Sequence, residues 1–341
     1  MTILEYTEKL CAVHAPSGRE QKLAALIGEM LAPLADEWYI DNVGNVVSLI
    51  RGTGEKKKKL LFAAHMDEVA FIVTKIDGSG YVHFTNVGGP NGVSSAFREV
   101  VFENGTEGFL VPPGNGSLDF GSMVVDIGAK DQAEAETMVS VGDFFAAANG
   151  IRKLAGNRIG GRPIDDRIGC AIELSVMERL AEDMKAGKRP YHDVYMAFTV
   201  QEEIQLPSMG GSVLTYEVEP DVGLAVDVCQ TGDTVGGPFM AVTLGGGASI
   251  LVRDTTLLAH KDVVDLLTET AKENGIRYQK QVALNGGTDA VPMQKTGRGC
   301  RAGVISIPMR YLHTSAEVAD LDDADACAEL IYALCGRPFA F

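Results

Sequence analysis

Two adjacent glutamates, Glu202-Glu203, come at the end of the stretch 191–200, and they restrict what this chain can build. The run 194–200 is rich in β-branched and aromatic residues and predicts a buried strand. Two carboxylates at the end of such a strand are costly unless positive charge lies beside or between them. In an extended chain neighbouring side chains point to opposite faces, so the pair is expected to divide its tasks. A metal ligand beside a separate proton-transfer group fits that geometry. Two solvated charges in a loop fit the dipeptide taken alone, so the rest of the chain has to decide.

Helical and extended patterns alternate on either side of it. Residues 2–13 predict a helix ended by Pro16-Ser17-Gly18, and Ser17-x-x-Glu20 reads as a capping box for a second helix carrying Leu23, Leu26, Ile27, Met30 and Leu31. Strands are expected at 37–50, interrupted at 41–45, and at 60–64. From Phe71 to Gly160 the pattern changes to short strand-like runs. Asp77-Gly78 and Asn104-Gly105 mark hairpins, residues 112–116 a loop, and 130–137 one short helix. Alternation then returns, with helices at 167–184, 257–274 and 322–335 and strands at 192–200, 222–228, 240–244, 276–283 and 303–307. The expectation is an α/β domain made of 1–70 and 161–341, with a small β-rich domain, 71–160, inserted into it.

Charge and composition exclude several partners. A net charge of −16 argues against nucleic acid and anionic membrane, and the one basic run, 56–59, reads as a solvated hairpin tip. No apolar run reaches the roughly 20 residues that span a bilayer. The first residues lack the basic and apolar regions of a signal peptide. Cys11, Cys170, Cys229, Cys300, Cys327 and Cys335 form no Cys-x-x-Cys pair and read as reduced thiols of a cytoplasmic protein.

The chemistry gathers at strand ends. The strand 60–64 ends on His65-Met66-Asp67-Glu68, where His65 and Asp67 share a side. Asp165-Asp166 precedes a helix, which either residue caps or from which one serves a metal. Asp227 closes the run 222–226, and His313 follows the strand 303–307. Strand ends are where open α/β sheets form ligand sites. Two imidazoles with three carboxylates suit two adjacent divalent ions such as zinc or cobalt, one carboxylate bridging them.

The motifs His65-Met-Asp-Glu-Val-Ala-Phe, Asp165-Asp-Arg-Ile-Gly-Cys, Thr199-Val-Gln-Glu-Glu, Ala225-Val-Asp-Val, Gly286-Gly-Thr-Asp-Ala and Arg310-Tyr-Leu-His-Thr-Ser occur in an order used by one family. From Pro16-Ser-Gly to His313 the chain resembles the glutamyl aminopeptidase/tetrahedral aminopeptidase family of dinuclear metallopeptidases, some of whose members carry an older endoglucanase label. The resemblance implies a zinc-peptidase-like α/β/α sandwich with a PDZ-like dimerisation domain inserted, and a homo-oligomer that is a tetrahedral dodecamer. It implies that His65 and Asp227 hold one metal, Glu203 and His313 the other, and that Asp165 bridges them, joined to Asp166 by a cis peptide. Glu202 is then the general base, and Asp67 orients His65. Asp289 either lines the substrate site or belongs to the Gly286-Gly287 turn. The segment 204–211 and Thr234-Val-Gly236 depart from the family's usual pattern, which bears on substrate preference.

The expected activity is release of N-terminal residues from short peptides. A metal-free glycosidase using paired acids and a non-catalytic assembly scaffold are the alternatives, and a chelator or a metal count separates them.

Overall fold

Strand alternation at the centre of the chain decides the architecture. The computed structural model describes residues 1–114, 116–204, 207–339 and 341; Asn115 of the expected loop, and Gln205 and Leu206 after the twin glutamates, lie outside them. Helices α1 (Ile3–Cys11) and α2 (Gln21–Leu31) precede strands β1 (Glu37–Ile40), β2 (Val46–Ile50) and β3 (Lys59–His65). The next strands are β4 (Ala70–Ile76), β5 (Val82–Val87), β6 (Glu99–Phe102), β7 (Glu107–Val111), β8 (Val124–Asp126) and β9 (Phe144–Ala147), with short helices α3 (Gly92–Ser95) and α4 (Gln132–Met138) between them. Then come β10 (Gly150–Lys153), β11 (Arg158–Arg162), α5 (Arg167–Lys185), β12 (Asp193–Thr199), α6 (Met209–Val218) and β13 (Val222–Gln230). The chain finishes with β14 (Ala248–Arg253), α7 (Lys261–Glu273), β15 (Tyr278–Val282), α8 (Ala290–Lys295), β16 (Arg301–Arg310), β17 (Glu317–Asp320) and α9 (Leu321–Gly336).

Eleven strands form one mixed sheet, with the path β1-β2-β12-β3-β13-β16-β17-β11-β10 and β14 and β15 branching from β16. Its middle, β12-β3-β13-β16, is parallel. Parallel strands are covered on both faces, and β3 shows how. Leu60, Phe62 and Ala64 enter the larger core with α1, α2, α5, α7 and α9, while Leu61 and Ala63 enter a second core with α6 and α8. The α/β/α sandwich follows from that alternation. All six cysteines are free.

Strands β4 to β9 close into a separate barrel in the order β4-β5-β8-β7-β6-β9. Its core is aromatic: Phe145 lies 4.8 Å from Phe102, 5.2 Å from Phe71 and 5.4 Å from Phe84, centroid to centroid. The two expected hairpins join β4 to β5 and β6 to β7. The expected boundary at residue 160 falls too late. Strands β10 and β11 pair with each other and with β17, so the chain has rejoined the large sheet by Gly150.

Two local expectations are corrected, and one helix went unforeseen. Ser17 does not cap α2: its hydroxyl donates to Asp67 at 2.6 Å, and Glu20 accepts from the N–H groups of Gly18 and Gln201. Residues 240–244 form no strand, because the Gly245–Gly247 run turns the chain, Gly245 and Gly247 at φ +85° and +93°, before β14 begins. Helix α6 has no signature in its sequence, which contains two glycines and β-branched residues. It forms because Ser208 accepts from Gly211 N–H and because glycine lets the backbone in close. A Cβ on Gly210 would sit 2.4 Å from the Val200 carbonyl oxygen.

Candidate metal centre

The sheet register brings the motifs to one level. Thr199 of β12 pairs with His65 of β3, and Asp227 of β13 pairs with Ser306 of β16. Asp227 lies inside β13 rather than at its end, since that strand continues to Gln230. His313 follows the end of β16 in a positive-φ turn. Asp165 and Asp166, joined by a cis peptide, lead into α5, and Asp166 caps that helix by accepting from Gly169 N–H. The capping aspartate and the site aspartate are therefore different residues.

Asp165 is the hub. One carboxylate oxygen lies 3.1 Å from His65 Nε2 and the other 3.3 Å from His313 Nε2. Asp227 stands 3.9 Å from His65 Nε2, and Glu203 3.3 Å from His313 Nε2. Two groups of donor atoms, each within 4.8 Å, result: His65, Asp165 and Asp227, and Asp165, Glu203 and His313. Glu202 belongs to neither, its carboxylate being 4.0 Å from His65. The two glutamates are not extended neighbours. They sit in a turn entered by Gln201 at φ +55°, and this turn aims them at different histidines.

Other residues fix the cluster. The Asp67 carboxylate accepts from the N–H groups of Glu202 (3.0 Å) and Glu203 (3.1 Å), tying the glutamate turn to the end of β3. Its nearest oxygen is 3.6 Å from His65 Nδ1, which instead lies 3.1 Å from the Asp67 carbonyl oxygen. Asp289 accepts from Thr199 and Ser208, so it braces both ends of the segment that carries the glutamates. It is 2% exposed and does not line the site cavity.

Sequence reading missed two supports. Fully buried Arg167 donates to the carbonyls of Met66, Leu10 and Val13, holding the chain just after His65. Glu317 of β17 accepts from the N–H groups of Ile164 and Asp165. A buried-type strand gives no hint that its glutamate serves a backbone 150 residues away; Arg167, in the motif after the aspartates, was the available signal.

The electrostatics fit a cation. Burial, with Asp165 and Asp289 adding to it, pushes the Asp227 carboxyl up to about 8 against the opposing pull of His65. Burial also lifts Glu203 to about 7 although His313 opposes it, and raises Glu202. Burial opposes charge on His313, yet Glu203 and Asp165 hold it up at about 10. Asp165 stays well below the usual carboxylate range despite its burial, through hydrogen bonds with both histidines. Crowded acids of this kind are relieved by a divalent ion, and the mixed nitrogen and oxygen donors suit one.

The cluster opens on a cavity of about 350 Å³. A family model described as M42 glutamyl aminopeptidase matches residues 44–330. A putative aminopeptidase of Acetivibrio thermocellus is 34% identical over 98% of both chains. An aminopeptidase from the archaeon Desulfurococcus kamchatkensis superposes with a TM-score of 0.91 at 32% identity, over 98% of this chain and 95% of that one. The TET1 peptidase of Pyrococcus horikoshii, which assembles into a tetrahedron or a large octahedral shell, gives 0.85 at 29% identity over 98% and 99%. The match thus covers sheet and inserted barrel alike, and the chain belongs to the M42 glutamyl aminopeptidase family of peptide hydrolases.

Proposed function

We propose that the chain is a cytoplasmic aminopeptidase that removes N-terminal residues from short peptides with two divalent metal ions, zinc or cobalt. The observation that carries this is Asp165, whose two oxygens reach one histidine each and so join two donor groups. His65 and Asp227 would hold one ion, Glu203 and His313 the other, and Asp165 both. When bound, such ions polarise a carbonyl and make water acidic at neutral pH. Glu202, beside the cluster but outside both donor groups, takes the proton of the attacking water and returns it to the leaving amine. Asp67 acts as a positioning residue through the backbone of both glutamates.

The barrel is the proposed dimerisation unit, and a homo-oligomer such as a tetrahedral dodecamer is the proposed assembly, supported by the shells that the Pyrococcus horikoshii relative forms. The test is dialysis against chelator, then reconstitution with zinc, cobalt or manganese, following aminoacyl-anilide hydrolysis and metal content. Two ions per chain and restored hydrolysis are expected; full hydrolysis without metal overturns the reading.

A further inference from the structure

The cavity beside the metal cluster carries its own selectivity. Beyond the cluster its walls are largely apolar, with Val228, Met240, Leu251, Ala283, Leu284 and Leu312 among them. No lysine or arginine is among its lining residues, and its only histidines are His65 and His313, both in the cluster. One further carboxylate lines it, that of Asp254, which is 4% exposed and follows β14 directly. The segment that bears it is fastened to the neighbouring stretch after β15: Ala283 N–H donates to the Arg253 carbonyl, and the Thr255 hydroxyl to the Gly286 carbonyl.

Asp254 has a local task, but the task occupies half of it. Its Oδ1 accepts from Thr256 N–H, the Thr256 hydroxyl and Leu257 N–H, which builds the turn after β14. Oδ2 makes no hydrogen bond among the described residues and is not among the side-chain oxygens sealed from solvent without a partner, so it keeps solvent access on a residue that lines the cavity. A turn of this kind needs one side-chain oxygen, and asparagine would supply it equally. The second oxygen is therefore surplus to the fold. A carboxylate oxygen free of protein partners at the wall of a largely apolar pocket is suited to a cation.

Resting on the aminopeptidase reading, we propose that this cavity receives the side chain of the N-terminal residue and selects a long basic one, lysine or arginine. The apolar walls take the methylene stem and Asp254 Oδ2 takes the terminal cation, as amphipathic cationic side chains require. An acidic side chain would bring its charge against Asp254 with no cation to receive it. The chain would thus refuse the glutamyl substrates in its family's name.

The experiment is a panel of lysyl, arginyl, leucyl and glutamyl anilides on the metal-loaded protein and on Asp254→Asn. In the wild type, kcat/KM for lysyl should exceed that for glutamyl by at least about 100-fold. In Asp254→Asn the lysyl-to-leucyl ratio should fall roughly 10–100-fold, because Oδ1 and its turn are retained. A parallel thermal-shift titration uses lysinol and leucinol, which carry no scissile bond. Lysinol should raise Tm more than leucinol in the wild type, and that difference should vanish in the variant. Glutamyl turnover equal to lysyl overturns the selectivity alone, as does an unchanged lysyl-to-leucyl ratio in the variant. No hydrolysis of any anilide overturns the aminopeptidase reading and the selectivity with it.

Discussion

Glu202 and Glu203 differ in what their charges touch. Glu203 faces His313 within a donor group and Glu202 lies outside both, so on the proposed roles Glu203 needs its charge to hold an ion while Glu202 has only to accept and release a proton. Glu203→Gln should therefore lose metal as well as activity. Glu202→Gln should keep both ions and lose about 10²–10⁴-fold in turnover. Metal analysis and kinetics on the two variants side by side check this, and the reverse pattern exchanges the roles. A second buried glutamate obeys other physics. Glu173 on α5 is fully buried, and neither of its oxygens has a hydrogen-bond partner among the described residues. Burial raises its carboxyl well above the ordinary value, the backbone near Ala197 only partly opposing. With the folded value raised, its protonated form favours the fold; that contribution is complete below the unfolded value near ~4.3 and is lost as pH climbs toward the folded one. Glu173→Met removes the liability, so its urea midpoint should exceed the wild type's by more at pH 8 than at pH 5. A gap that narrows as pH rises would mean that the carboxylate is paired.

Helix α6 connects local sequence to site geometry. It starts just after the glutamate turn, and Gly210 and Gly211 let it lie against Val200 and Asp289. Gly210→Ala would place a methyl 2.4 Å from a backbone oxygen and 2.6 Å from Asn45 Oδ1, neither of which can yield cheaply. It should cost about 1–3 kcal/mol, read as a lower denaturant midpoint at unchanged m. A midpoint within error of the wild type would show that the helix can shift without consequence. This helix also marks where sequence reading stops. The parallel core was legible because its strands are continuous apolar runs, and the residues of the two donor groups, His65, Asp165, Glu203, Asp227 and His313, stood out in the sequence as charged or ionisable groups at or near strand ends and through the family motifs. The Ser17 box misled because its hydroxyl is drawn to Asp67, 50 residues away in sequence. The second oxygen of Asp254 left no local trace, since its environment is made by segments remote in sequence. Periodicity reports which face is buried, not what it is buried against.

At the scale of the whole molecule, the barrel is joined to the metal centre as well as placed beside it. The Gly89 carbonyl, just beyond β5, lies 3.1 Å from His313 Nδ1, and Asn91 N–H donates to the His313 carbonyl. Ser315 donates to the Ser94 carbonyl of α3. The loop after β16 is thus set partly by the inserted unit, and on the proposed assembly a subunit contact made by the barrel would also steady one of the two histidines. Excising residues 70–147 and joining Val69 to Ala148 should have two linked effects. The sedimentation coefficient should fall further than the lost mass requires, because the proposed subunit contacts go with the barrel. Metal content should drop toward one ion per chain, because His313 loses the carbonyl that orients its ring while His65 keeps its partner, the Asp67 carbonyl. Analytical ultracentrifugation and elemental analysis on the same preparation read both. A parent protein that sediments as a monomer removes the assembly role. A truncated chain that still carries two ions removes the coupling, and would leave the barrel an independent lobe with no part in holding the site.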